Sequence, residues 1–168
     1  MTRYVSRTDP LADVRGWFDP ASAALEGRPE AALATVDAQA RPSARWITVV
    51  RLDHGIVFFT GNHTREAADL AVSPHAVVCL RTAPGDRRAR IGCAVELLTD
   101  FDSDRYFDTL DRPAQLGVWT APDVADSSGA PTPLLAEIRD CFAGQLVPRP
   151  RRWGGYRLVP TSVELGAG

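Results

Sequence analysis

The chain has 168 residues, 45% hydrophobic and 24% charged, enough to bury the core of one globular domain and too few for two comfortable ones. A formal net charge of -2 and a pI near 5.9 exclude a dedicated nucleic-acid surface, because phosphate binding leaves a basic excess. Met1 to Val14 is polar and charged, no run reaches bilayer-spanning length, and Cys79, Cys93 and Cys141 lack the paired spacing of zinc or redox sites, so the expectation is a cytoplasmic protein with reduced thiols and no membrane partner.

Asp9 to Glu26 opens on an Asp-Pro pair and spaces Leu11, Val14, Trp17 and Phe18 as a helix would, which predicts a short helix to about Phe18 and a further turn after Pro20. Three runs rich in β-branched residues follow, Ala31 to Val36, Ala44 to Val50 and Ile56 to Thr60. Polar links at 37–42 and 53–55 separate them, so the block reads as an antiparallel meander. Thr64 is a candidate cap for a helix through Ala71, ended by Pro74. Ala76 to Arg81 and Ala89 to Leu98 resume the strand pattern across a turn containing Pro84 and Gly85. Asp102 or Ser103 can start a helix to Leu110, and Pro113 to Trp119 a second one. The stretch 121–133, rich in Pro, Ser, Gly and Asp, reads as a mobile loop. Leu134 to Ala143 has an amphipathic pattern, and two last strands are expected near Tyr156 to Val159 and Ser162 to Leu165. Six or seven antiparallel strands with inserted helices do not make a doubly wound parallel sheet, and a barrel with helical additions fits better.

Most catalytic signatures are missing: GxGxxG opening a helix, the phosphate loop, GxSxG and HExxH. His54, His63 and His75 have turn or helix-boundary settings without a second histidine at ligand spacing, so no metal is expected. Basic residues cluster at Arg87, Arg88 and Arg90 and again at Arg149, Arg151 and Arg152, where a small anion or plain solvent are equally good companions.

Two local features carry more chemistry. Arg45 shares a run with Thr48 and Arg51, while Phe59, Thr60, Asn62, Thr64 and Arg65 form a strand end and a helix start. Backbone N–H groups at a helix start, with hydroxyls and an arginine, make a phosphate receptor. Spacing alone favours the plainer reading, in which Thr64 is a cap and Arg65 faces solvent. The second feature is Trp153-Gly154-Gly155-Tyr156, where two glycines let backbone approach a flat ring; a β-bulge beside core aromatics explains it equally well.

The order of these features resembles the pyridoxamine 5'-phosphate oxidase family. The matching text runs through Asp9-Pro10-Leu11, Ala34-Thr35-Val36-Asp37, Arg45, Val57-Phe58-Phe59-Thr60, Arg65, Arg87 to Cys93, Val95-Glu96, Tyr106-Phe107, Arg112, Gln115-Leu116-Gly117 and Trp119. It continues with Val147-Pro148-Arg149-Pro150, Trp153-Gly154-Gly155-Tyr156-Arg157, Pro160 and Val163-Glu164. The resemblance implies an FMN-binding split β-barrel, mainly antiparallel and Greek-key-like with added helices, formed by residues 1–168 as one domain. It also implies a homodimer with flavin mononucleotide in grooves between subunits. Arg45, Ile47, Thr48, Val50, Phe59, Thr60 and Arg65 would then lie along the cofactor, with Arg88, Gln115 and Trp153 at further flavin positions. The implied chemistry is hydride transfer between a substrate carbon and the flavin, which oxygen reoxidises.

The departures from the family pattern concern charge. Val50 stands where a lysine is usual, Glu66 replaces another lysine, Arg88 replaces a glutamine, and Asp123 falls where a second glutamine is expected. Tyr106 matches a substrate-phosphate residue, but the arginine and serine that assist it are Leu110 and Ala114 here, and the chain ends at Gly168 where the family continues into an Arg-Leu-His-Asp-Arg segment. A phosphate ester loses charge-assisted hydrogen bonds under these changes, each contributing about 1.5–3 kcal/mol. The expected function is therefore an FMN-dependent oxidoreductase acting on a less anionic small molecule in a biosynthetic pathway, with an apolar substrate face at Val50, Leu110 and Ala114. Two alternatives stand beside it: use of a deazaflavin or haem, and a flavin-free barrel with a binding or non-redox catalytic role.

Overall fold

A computed structural model describes residues 2–4, 11–15, 30–82, 87–120 and 135–167. The strands are β1 (Thr2–Tyr4), β2 (Glu30–Val36), β3 (Pro42–Thr48), β4 (Arg51–Leu52), β5 (Ile56–Gly61), β6 (His75–Thr82), β7 (Arg87–Leu97) and β8 (Trp153–Ala167). The helices are α1 (Ala12–Arg15), α2 (Arg65–Val72), α3 (Asp100–Phe107), α4 (Arg112–Trp119) and α5 (Leu135–Cys141). The expected continuation of the first helix to Phe18 and the loop at 121–133 lie outside the described residues.

The strands form one sheet in the order β3-β2-β6-β7-β8-β5-β4, with β1 added on β8. The pairs β2–β3, β2–β6, β4–β5, β6–β7 and β1–β8 are all antiparallel. The antiparallel character matches expectation, but the meander does not. The order sets β3 at one end of the strand path, beside β2, and β4 at the other, beside β5, while β2 carries β6 on its second edge. The two expected C-terminal strands are one strand of 15 residues. Pro160 removes a single N–H donor, so it interrupts hydrogen bonding at one position without ending the strand.

Residues of Met1–Phe59, Asp69–Glu96 and Tyr156–Gly168 make one compact unit, and Thr60–Ala68 with Leu97–Gly155 make a second. Every passage between them falls inside a strand or helix rather than in a linker. In the first unit, period-two alternation sends Ala31, Leu33 and Thr35 of β2 inward, with Val78 and Leu80 of β6 and Ala89, Ile91 and Cys93 of β7. Ile56, Val57 and Phe58 are buried in succession, and the Phe58 ring stacks on Tyr156 with centroids 5.4 Å apart. Burial pushes the Cys93 thiol up to about 12, which makes it an inert core residue. The second unit gathers Phe107, Leu116, Ile138 and Val147, flanked by Leu110, Val118, Trp119, Phe142 and Trp153.

Caps set the helix boundaries in the second unit. α3 begins earlier than Asp102 or Ser103 would place it: Thr99 accepts from the Asp102 N–H at 3.1 Å and donates to its carboxylate at 2.7 Å. Asp111 caps α4 by accepting from the Ala114 N–H at 2.9 Å, with Pro113 in the first turn.

The link from β2 to β3 closes on Asp37, whose Oδ1 accepts from the N–H groups of Gln39 and Arg41, both at 2.9 Å. That closure holds Ala40 at φ 60°, in the left-handed region, where a Cβ costs about 1–2 kcal/mol. Ala40→Gly is expected to stabilise the protein by about 0.5–1 kcal/mol, the strain relieved exceeding the added freedom of the unfolded chain. Urea denaturation at unchanged m-value checks it; a loss of stability would contradict the strain.

Candidate cofactor and substrate site

In the first unit the sequence-derived candidates divide between two sheet faces. Arg45 is opposite Leu33 in the β2–β3 register, and with Ile47 and Ser43 it lies on the inner face. Thr48 and Trp46 point outward. Arg88, paired with Arg81 across β6–β7, is on the same outer face as Cys79 and Arg90. Val50 lies beyond the end of β3, half-buried, and donates its N–H to the Val57 carbonyl at 2.8 Å. Arg51, its neighbour, pairs with Asp53 at 3.1 Å. Phe59 is half-buried near the end of β5.

Arg45 is the centre of a polar network. It donates to Thr35 Oγ1 at 2.7 Å, to Ser43 Oγ at 2.5 Å and to the Leu33 carbonyl at 3.3 Å. Asp69, 4% exposed, accepts from Thr35 at 2.6 Å and Ser43 at 3.0 Å, and its Oδ2 is 3.7 Å from the Arg45 guanidinium. A buried carboxylate needs such donors, since leaving it unpaired costs several kcal/mol. The guanidinium is thereby committed to strand hydroxyls and a helix carboxylate. Sequence reasoning missed Thr35, Ser43 and Asp69 as members of this network. The available signal was an aspartate between Ala67 and Leu70 on the apolar side of α2, where an unpartnered carboxylate would be costly.

In the second unit Thr60, Asn62, Thr64, Arg65 and Glu66 surround the start of α2. Thr64 caps the helix as expected, accepting from the Ala67 N–H at 3.4 Å and donating to the Gly61 carbonyl at 2.9 Å. Thr60 donates to Glu66 Oε1 at 2.7 Å. Arg65 is exposed and has no ion pair among the described residues.

The substrate candidates belong to the same unit. Tyr106 lies nearly parallel to Trp153, with centroids 6.1 Å apart and an interplanar angle of 15°, and Phe107 meets Trp153 edge-on at 5.7 Å. Gln115 donates to the Phe107 carbonyl at 3.2 Å. Leu110 packs on the apolar cluster, while Ala114 is exposed. At Gly154-Gly155 the Gly155 N–H donates to buried Ser103 Oγ at 3.2 Å, and a Cβ on Gly154 would meet Asn62 Oδ1 at 3.7 Å, an ordinary contact.

Arg149, another residue missed as part of this arrangement, holds Trp153 in place. It donates to the Trp153 carbonyl and to the carboxylates of Asp104 and Asp100. Burial works against its charge, but hydrogen bonds to Asp104 and Asp100 outweigh it and raise its pKa.

Residues 19–139 match the family model described as pyridoxamine 5'-phosphate oxidase. A pyridoxine/pyridoxamine 5'-phosphate oxidase from Cupriavidus necator is 37% identical over 164 residues, covering 95% of this chain and 77% of that enzyme. The chain belongs to the pyridoxamine 5'-phosphate oxidase family. Among solved structures, PhzG from Burkholderia lata, in complex with tetrahydrophenazine-1-carboxylic acid, superposes with a TM-score of 0.79 at 25% identity, covering 95% of this chain and 80% of that one. A pyridoxamine 5'-phosphate oxidase-related, FMN binding protein from Nostoc punctiforme superposes with a TM-score of 0.71 at 15% identity, covering 95% and 84%. The fold is the antiparallel split barrel of this oxidase family, and no helix among the described residues is long and apolar enough to cross a membrane.

The burial of Asp69 gives the Arg45 network a measurable consequence. Asp69→Ala is expected to lower stability by about 3–5 kcal/mol, because Arg45, Thr35 and Ser43 lose their shared acceptor. Thermal and denaturant unfolding measure this; a loss below about 1 kcal/mol would mean that water replaces the carboxylate.

Proposed function

We propose that this oxidase-family protein is an FMN-dependent oxidoreductase acting on a small molecule other than pyridoxamine 5'-phosphate, in a biosynthetic role. The observation that carries this reading is the stack of Tyr106 on Trp153, with Leu110 packed on the hydrophobic cluster that Trp153 also joins. Leu110 and Ala114 offer no hydrogen bond donor in their side chains, so a phosphate ester has little to replace its hydration there. A planar, largely apolar substrate gains from aromatic faces what it lacks in charge. The similarity to PhzG supports this choice, since the tetrahydrophenazine-1-carboxylic acid bound to it carries a carboxylate and no phosphate.

When bound, a flavin supplies a ring that accepts a hydride from a substrate carbon and passes the electrons to oxygen. Of the proposed cofactor residues, Gln115 and Trp153 offer a side-chain amide and an aromatic plane suited to the ring. Arg65 is an exposed cation suited to an anion. Ile47, Thr48, Val50, Phe59 and Arg88 complete the proposed set with Arg45 and Thr60. Tyr106, Leu110 and Ala114 are the proposed substrate side.

The cofactor groove of this reading needs a second copy of the chain, and the outer sheet face of the first unit offers a surface for it. Ala32, Ala34, Ala44, Trp46, Val77 and Cys79 share that face by register, and Trp46 is 72% exposed. This patch around Trp46, bordered by Arg88 and Arg90 of β7, suits an interface with a second copy. A homodimer in the cytoplasm is the proposed state.

Two outcomes are expected. The purified protein shows, or gains on adding FMN, the visible absorption and quenched fluorescence of a bound flavin, and it does not oxidise pyridoxamine 5'-phosphate; a preparation that ignores FMN removes the redox assignment. Trp46→Asp converts a dimer into a monomer in sedimentation velocity, while far-UV circular dichroism is retained. A wild-type monomer at micromolar concentration would remove the dimer.

A further inference from the structure

Thr60 at the end of β5 and Thr64 before α2 are the hydroxyls nearest in sequence to the start of that helix, and Glu66 is its second residue. A threonine hydroxyl has one proton. In this structure Thr60 gives that proton to Glu66 Oε1 at 2.7 Å, a charge-assisted bond, while the distance to Thr64 Oγ1 is 3.4 Å. The Thr64 hydroxyl donates to the Gly61 carbonyl at 2.9 Å. Both protons are therefore spent within the protein, and the free electron pairs they leave behind repel an incoming anion. Glu66 itself is half-buried in the first turn of α2, where a carboxylate gains from the positive end of the helix dipole. Arg65, the first residue of α2, is an exposed cation with no ion pair among the described residues.

We propose that Glu66 closes the phosphate seat at the start of α2 from within, so that the protein recognises a flavin by its ring and gains almost nothing from its 5'-phosphate. Glu66 is then a specificity-determining residue, and riboflavin competes with FMN on nearly equal terms. The inference rests on the proposal that the chain binds flavin, and its test separates the two.

Dissociation constants for FMN and riboflavin are measured by fluorescence quenching with the full-length wild type, Glu66→Gln, Glu66→Lys and the double variant Thr60→Val/Glu66→Lys. Wild type is expected to prefer FMN by no more than about 3-fold. Glu66→Lys tightens FMN by about 10-fold to 100-fold, the worth of one charge-assisted hydrogen bond, and leaves riboflavin unchanged. Glu66→Gln falls between, and adding Thr60→Val returns part of the gain because the released hydroxyl no longer reaches the phosphate. A wild type preferring FMN by about 100-fold or more overturns the proposal, as does a Glu66→Lys variant that binds both flavins as wild type does. Should no variant bind either flavin, the function proposed above fails, and the seat is judged by inorganic phosphate alone. A phosphate-dependent rise in the unfolding midpoint of Glu66→Lys but not of wild type then upholds it, and equal responses overturn it.

Discussion

Asp69 is a carboxylate buried where no water reaches it freely, and the placement of its neighbours follows from that. Thr35 and Ser43 turn their hydroxyls toward it, and Arg45 joins through both hydroxyls and through its charge. A hydrogen-bonded set of this kind stabilises the junction of β2, β3 and α2 within the first unit only when every member is present. It also decides what Arg45 is free to do. An arginine satisfied by its own protein is a weaker receptor for an outside phosphate than one pointing into solvent.

Glu66 has a similar influence in the second unit. Family membership rests on the ordered pattern of many residues, and substitution at a few polar positions leaves the barrel intact while altering which ligand charge it tolerates. On the proposed function, Glu66 at the helix start, together with apolar Leu110 and Ala114, would shift the balance from charge recognition to contact with flat apolar surface. The stack of Tyr106 on Trp153, held by Arg149 from the carbonyl side, gives that surface rigidity.

In the second unit, groups that the sequence marks as candidates already have partners. The Gly155 N–H is taken by Ser103 Oγ. The basic cluster around Arg149 likewise contains one arginine already engaged by Asp100 and Asp104. Side-chain type told which groups could meet an anion; the distances told which were already taken.

By itself the sequence determined the antiparallel strands, the helix cap at Thr64 and the family, because alternation, capping chemistry and motif order are local or cumulative properties of the residues. Only the tertiary structure decided that β3 and β4 stand at opposite ends of the strand path, that Pro160 lies inside one long strand, and that α3 starts at the Thr99 cap. It alone paired Arg45 with Asp69 and Thr60 with Glu66. A residue's chemistry is written in its type, but whether that chemistry is still free depends on neighbours that folding brings within a hydrogen bond, and sequence spacing does not report them.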